Sequence, residues 1–299
     1  MASLGEPAGQ LVRGAIVARP HAGRHQQHRD AWPVIDRSIF AGSVVRMLCR
    51  WPRSFHLKDV FTLVNLVSGV VAVHFVLFGE PRTAGFTVVV GYLFGDLLDG
   101  QVARMTGKSN RFGAELDSIV DHFVHVVVPG IIIYTVYRTA GHELLGLIAL
   151  GTLVGTATIR HARLAAVKFD YPLCWCGLPR TISGFIAMSL ALAKTVTDHL
   201  RGYYLPAFIA VMLLSVMNLV PIPYMTHRGK RAMQPWTKFL VGLFVVLPVV
   251  VFFIDRDRTF DVFLVFMLGY ALTGWIPVRT EERAAFWVEY RRWSTELAR

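Results

Sequence analysis

The sequence predicts an all-α integral membrane protein, a bundle of about eight transmembrane helices preceded by an interfacial amphipathic helix. Three observations lead there. Of the 299 residues, 54% are hydrophobic and the mean hydropathy is +0.47, more than a soluble globule of this size carries. Apolar runs long enough to cross a bilayer recur near 60–79, 84–105, 113–137, 143–167, 180–197, 203–222, 236–254 and 259–278. Finally, four carboxylates, Asp96, Asp99, Asp117 and Asp121, lie inside two of these runs, as expected of helices that line a site.

Taken in order, residues 1–37 are rich in Arg, His, Gly and Pro without helical periodicity, so they are expected to be a disordered basic tail. That tail has no uninterrupted apolar core for a secretory signal. In 38–54, Phe40, Val44, Met47, Leu48 and Trp51 recur at helical spacing, with Arg46, Arg50 and Arg53 on the other side. This juxtamembrane helix can lie flat on the membrane, pack on the bundle, or do both. The transmembrane domain is expected over 55–279, with its fourth span free to end early at Arg160. Residues 280–299 mix Phe286, Trp287, Tyr290 and Trp293 with arginines, the pattern of a second amphipathic helix.

Charge orients the bundle. Loops after the first, third, fifth and seventh spans carry Arg82, Arg138, Arg201, Arg256 and Arg258. The alternate loops carry Lys108, Arg111, Arg160, Arg163, Lys168, Arg180, Arg228, Lys230, Arg231 and Lys238, and both tails are arginine-rich. Positive-inside weighting therefore puts both termini and the aspartate segment on the cytoplasmic side. The net charge of +11 is accounted for by anionic lipid headgroups, and no nucleic-acid partner is needed. Cys49, Cys174 and Cys176 have no zinc-like spacing and are expected to be free thiols. His21, His25 and His28 lie in a tail without preorganised geometry.

The carboxylates are the most informative feature. An ionisable residue at the centre of a transmembrane helix costs roughly 2.5–3.5 kcal/mol, so four without compensation would cost on the order of 10–14 kcal/mol. Two divalent cations would balance them, and all-oxygen ligands suit Mg2+ or Mn2+. Asp96, Asp99, Gly100 and Ala103 fall within about 100° of one another on a helix, while Gly113, Asp117 and Asp121 climb one face at i, i+4, i+8. If a helix ends near Met105 and the next begins near Gly113, Asp99 and Asp117 lie roughly 6–9 Å deep and Asp96 and Asp121 roughly 12–14 Å deep. Gly100, Ala103 and Gly113 leave room for a ligand or a neighbouring backbone.

The pattern D-x2-D-G-x2-A-R-x8-G-x3-D-x3-D, complete here as Asp96, Asp99, Gly100, Ala103, Arg104, Gly113, Asp117 and Asp121, resembles the fingerprint of the CDP-alcohol phosphotransferases. The resemblance implies a membrane enzyme that moves a phosphatidyl or similar group from a CDP-linked donor to a hydroxyl acceptor and releases CMP. It implies that Asp96, Asp99 and Asp117 hold metal, with Asp121 helping and also acting as general base. Gly100, Ala103 and Gly113 then belong to the CDP-donor site. Arg104 either helps order that site or snorkels at the boundary.

A second resemblance, over roughly 55–275, is to the phosphatidylserine synthase branch. It rests on Phe61-Thr62-Leu63-Val64-Asn65-Leu66, Glu115-Leu116-Asp117-Ser118, Arg160-His161-Ala162-Arg163-Leu164 and Gly177-Leu178-Pro179. This implies CDP-diacylglycerol as donor, L-serine as the favoured acceptor, a homodimer and a bacterial inner-membrane location. Departures fall close to the site. Val124 and Val126 replace a Ser and a Gly of that branch, and Ala165 replaces an Asn. His125, one turn from Asp121, either touches the acceptor or is a packed core histidine. Arg160, Arg163 and Arg180 either form an anion pocket or belong to a solvated positive loop. A phosphorylated polyol or inositol acceptor stays open on the first reading. An intramembrane prenyltransferase would carry paired DDxxD-like clusters, which are absent, and an ion transporter would favour an inverted repeat of the aspartate segment, which is not visible.

Overall fold

The computed structural model describes residues 55–98, 102, 110–169, 171, 173–199, 204–226 and 235–298. The basic tail, the amphipathic helix at 38–54, Cys49, Asp99, Gly100, Ala103 and Arg104 lie outside the described residues.

Helix α1 (Leu57–Leu77) buries a stripe of small and polar side chains, Thr62, Asn65, Gly69, Ala72 and Val76, at alternating three- and four-residue steps. Its valines at 60, 64, 67 and 70 face outward, the inverse of a soluble amphipathic helix and the arrangement suited to a lipid surround. Helix α2 (Pro81–Gly91) packs along α1 and passes into a π-turn at Tyr92–Asp96. Helix α3 (Arg111–His122) is capped by Asn110, whose Oδ1 accepts the Gly113 N–H at 2.8 Å. It continues through a second π-turn, Phe123–Val127, into α4 (Val128–Thr139). Gly69 lets this continuous helix approach α1, since a β-carbon there would meet Val124 Cγ2 at 2.7 Å. Helix α5 (Glu143–Ala166) returns antiparallel to α4 after a turn at Gly141, whose φ of +83° suits glycine.

Leu57–Leu77, Arg111–Thr139 and Glu143–Ala166 are long and apolar enough to cross a membrane, and the middle one is the most buried. The expected span at 180–197 is divided. Helix α6 (Arg180–Leu192) stops at Ala193, which turns extended at ψ 131°, and α7 (Lys194–His199) restarts beyond it. Asp261 makes this break stable by accepting the N–H groups of Lys194 and Thr195 at 3.1 and 2.9 Å, capping the new helix from a distant part of the chain. Helix α8 (Tyr204–Met217) is shorter than the expected 203–222, and α10 (Thr259–Thr273) is shorter than 259–278. Helix α9 (Pro235–Ile254) precedes a 3-10 turn at Arg256–Arg258 and packs along α10.

The fold is mostly helical, but the purely helical expectation needs one correction. Strands β1 (Cys174–Cys176) and β2 (Pro223–Met225) pair antiparallel, Cys174 opposite Met225 and Trp175 opposite Tyr224. Three-residue strands within loops are too short to write a period-two pattern into sequence. Beside this ribbon lies α11 (Thr280–Leu297), whose Phe286 and Trp293 are buried against Phe169 and Tyr171. The Trp293 Nε1–H donates to the Val167 carbonyl at 2.7 Å, and the Tyr171 hydroxyl donates to the Glu282 carbonyl at 3.0 Å. Much of this helix's aromatic face is thus covered by the protein itself, while Trp287 and Val288 stay exposed.

Candidate active site

Close backbone approach builds the site's first wall. A β-carbon on Gly95 would sit 2.5 Å from Asn65 Cβ and 2.8 Å from the Asn65 backbone nitrogen, and one on Gly91 would overlap Ser68 Oγ. Without side chains at these positions, α2 lies directly on α1, and the π-turn brings Tyr92 and Asp96 to the bundle interior. The Tyr92 ring meets His125 edge-on at 5.5 Å and Phe185 at 5.2 Å.

Helix α3 supplies the facing wall with Asp117, Ser118, Asp121 and His122, and the π-turn after it carries His125. Gly184 of α6 presses on this turn, and a β-carbon at Gly184 would overlap the His125 carbonyl oxygen. Such one-turn π insertions often mark functional sites, and here the two of them flank the same carboxylates.

Asp96, Asp121 and His125 each offer a ligand atom within 4.8 Å of the others. His125 Nδ1 lies 3.4 Å from Asp121 Oδ1, and the ring is fully buried. Arg180, from the start of α6, donates through Nη2 to the Ser118 carbonyl at 2.9 Å and to Ser118 Oγ at 3.1 Å. There its charge faces those of Asp121, Asp117 and Asp96. Asp117 in turn acts on Asp96. Among the described residues, three carboxylates thus gather around one guanidinium, an excess of acid that suits a cation. The ring nitrogens of His125 are buried without a hydrogen-bond partner, a second feature that a metal ion fits.

Gly113, Arg160 and Arg163, the other expected site residues among those described, have partners of their own. Gly113 faces the buried Lys58–Asp59 ion pair (3.0 Å), and a β-carbon on it would overlap both Asp59 Oδ1 and Lys58 Nζ. Arg160 donates to the Cys176 carbonyl at 3.1 Å, holding β1 to α5. Arg163 donates to the Leu219 carbonyl at 3.4 Å and lies 5.4 Å over the Trp293 ring. Of the three arginines, Arg180 is the one that joins the carboxylates through its Ser118 contacts.

Several neighbours of the site carry no motif in the sequence pattern above. Asp59 closes a capping box with His56, a signal available in the three-residue spacing. His122 and His161 stack at 6.3 Å; His122 Nε2 lies 3.1 Å from Thr158 Oγ1 and His161 Nδ1 lies 3.5 Å from Ser118 Oγ. No sequence spacing could have paired them.

Residues 55–220 match the profile of a family described as CDP-alcohol phosphatidyltransferase. The chain is 24% identical over 221 residues to a Helicobacter pylori CDP-diacylglycerol–serine O-phosphatidyltransferase, covering 73% of this chain and 90% of that protein. A Methanocaldococcus jannaschii protein of the same description is 26% identical over 184 residues, 58% of this chain and 76% of that one. One from Saccharomyces cerevisiae is 36% identical over 91 residues, 28% of this chain and 33% of that one.

Proposed function

We propose that this chain, which belongs to the CDP-alcohol phosphatidyltransferase family, transfers the phosphatidyl group of CDP-diacylglycerol to the hydroxyl of L-serine and releases CMP. The observation that carries this reading is the convergence of Asp96, Asp121 and His125, with Asp117 and Arg180 beside them, at a helix, Arg111–Thr139, long and apolar enough to cross a membrane.

The residues divide the work as follows. Asp96, Asp99, Asp117 and Asp121 are the candidates to hold divalent metal, and Gly100, Ala103, Arg104 and Gly113 the candidates for the CDP-donor site; of these, Asp99, Gly100, Ala103 and Arg104 lie outside the described residues. Two Mg2+ or Mn2+ ions bound there would supply charge neutralisation on the diphosphate. Asp121 takes the proton from the acceptor hydroxyl as its oxygen bonds to the phosphatidyl phosphorus. The bond from that phosphorus to the bridging oxygen breaks, and the oxygen leaves with CMP. Arg180, fixed on Ser118, keeps a positive charge beside the reacting phosphates.

Two things support serine over a phosphorylated acceptor. The relatives above are described as serine enzymes over alignments of up to 90% of their length. A phosphate monoester also favours two converging guanidinium groups, whereas Arg160 and Arg163 are engaged with the carbonyls of Cys176 and Leu219. On the same reading the 55–279 domain forms about eight spans in a bacterial inner membrane, with both termini and the site cytoplasmic and the chain a homodimer.

The test is an acceptor panel with purified protein and CDP-diacylglycerol, scoring CMP release for serine, inositol, inositol phosphate, glycerol phosphate and choline. Serine should give the highest kcat/KM. A clear preference for another acceptor refutes the serine assignment, and no CMP release with any acceptor refutes the transferase reading.

A further inference from the structure

We propose that His125 is a nitrogen ligand to a divalent ion shared with Asp96 and Asp121, which gives the metal centre of this chain a mixed nitrogen and oxygen donor set. The inference rests on the metal-dependent transfer proposed above and adds the chemical class of ion that the site selects.

His125 is enclosed by Tyr92, Phe185 and Asp121. Its side chain has no solvent exposure, yet neither ring nitrogen has a hydrogen-bond partner. Burying an imidazole in that way forfeits its hydrogen bonds to water without replacement. The contact with Asp121 at 3.4 Å is longer than the 2.7–3.2 Å typical of an N–H···O bond, so a neutral histidine donating to that carboxylate does not account for its placement. Nor does simple packing. An apolar ring would fill the space between Tyr92 (5.5 Å) and Phe185 (5.7 Å) without carrying two polar atoms into it.

The backbone is arranged to hold the ring where it is. His125 sits within the π-turn Phe123–Val127, and Gly184 leaves room for its carbonyl oxygen. Asp96 reaches the same point from the other π-turn. The ligand atoms of Asp96, Asp121 and His125 all lie within 4.8 Å of one another, close enough to share one ion. Imidazole nitrogen raises affinity for later first-row metals, whereas Mg2+ prefers oxygen throughout. A centre with two carboxylates and one imidazole should therefore take Mn2+ or Co2+ in preference to Mg2+.

The test is spectroscopic and needs no turnover. Full-length protein in detergent is loaded with Mn2+ and read by pulsed electron paramagnetic resonance for nitrogen coupling, with natural and with 15N-labelled histidine. His125→Phe keeps an aromatic ring between Tyr92 and Phe185 and removes both nitrogens. Asp96→Asn and Asp121→Asn report whether the ion occupies this cluster. Histidine nitrogen coupling in the wild type, lost in His125→Phe while Mn2+ still binds, is the expected result. Bound Mn2+ without that coupling, or coupling that survives in His125→Phe, overturns the inference and leaves the transferase reading standing. Mn2+ binding that is absent, or unaffected by both Asn variants, overturns this inference together with the metal site on which it rests.

Discussion

Replacing Asp121 by Asn keeps the shape of the side chain and its place on α3 and removes one negative charge and one proton acceptor. Asp121 is one of three carboxylates whose charge faces Arg180, and it lies 3.4 Å from His125. If it only balanced Arg180, two carboxylates, Asp117 and Asp96, would still face that guanidinium. With those two carboxylates still balancing the guanidinium, losing one charge interaction would cost about 1 kcal/mol, so turnover would fall by less than about tenfold. A general base contributes about 10²–10⁴ in rate, or roughly 2.7–5.5 kcal/mol. The two roles are therefore separated by at least an order of magnitude in kcat. The assay is CMP release at saturating CDP-diacylglycerol and serine, repeated over a Mn2+ titration so that weakened ion binding is overcome by excess metal. The expected outcome is a kcat at least about a hundredfold below wild type that saturating Mn2+ does not restore. A kcat within about threefold of wild type would refute the assignment of proton transfer to Asp121.

Two further outcomes follow from packing and burial. Gly95→Ala should cost about 1–3 kcal/mol and displace Asp96, because its β-carbon would press on the backbone of Asn65. Gly151→Ala, inside α5 where no described neighbour lies within 4 Å of the added β-carbon, should be neutral to stabilising by up to about 1 kcal/mol, and thermal unfolding of the two side by side checks the contrast. Burial pushes the Cys174 thiol up to about 12, so at pH 8 it is a thiol rather than the reactive thiolate. In a Cys49→Ser background, native protein should resist iodoacetamide at Cys174 and react there only once unfolded, as peptide mass mapping would show. Fast native labelling at Cys174 would contradict its burial.

How much of this could be read in advance differs from residue to residue. The grouping of Asp117 with Asp121 follows from a four-residue step on one helix, and the shared depth of Asp96 and Asp121 follows from counting residues to each helix end. The first long apolar helix was equally plain, because its 21 residues are apolar enough on average to cross a bilayer despite the polar stripe it buries. The break at Ala193 was not legible, since the carboxylate that caps the restarted helix lies 67 residues on, at Asp261. The π-turns were hidden for a related reason. They depend on what α1 and α6 press against Gly95 and His125, not on local propensity.

The sequence by itself determined the family, the helical and apolar character of the chain, and the grouping of the acidic residues proposed as its site, because period and spacing are local properties that survive without coordinates. Only the tertiary structure decided which of the basic and aromatic residues join them. It brought Arg180 to the carboxylates through Ser118, 62 residues away, and it turned Arg160 and Arg163 toward backbone carbonyls. It also set Gly113 against Lys58 and Asp59 and enclosed His125 between Tyr92 and Phe185. The physical reason is that these partners meet only where helices pack, and their pairing is fixed by the close approach that small residues permit.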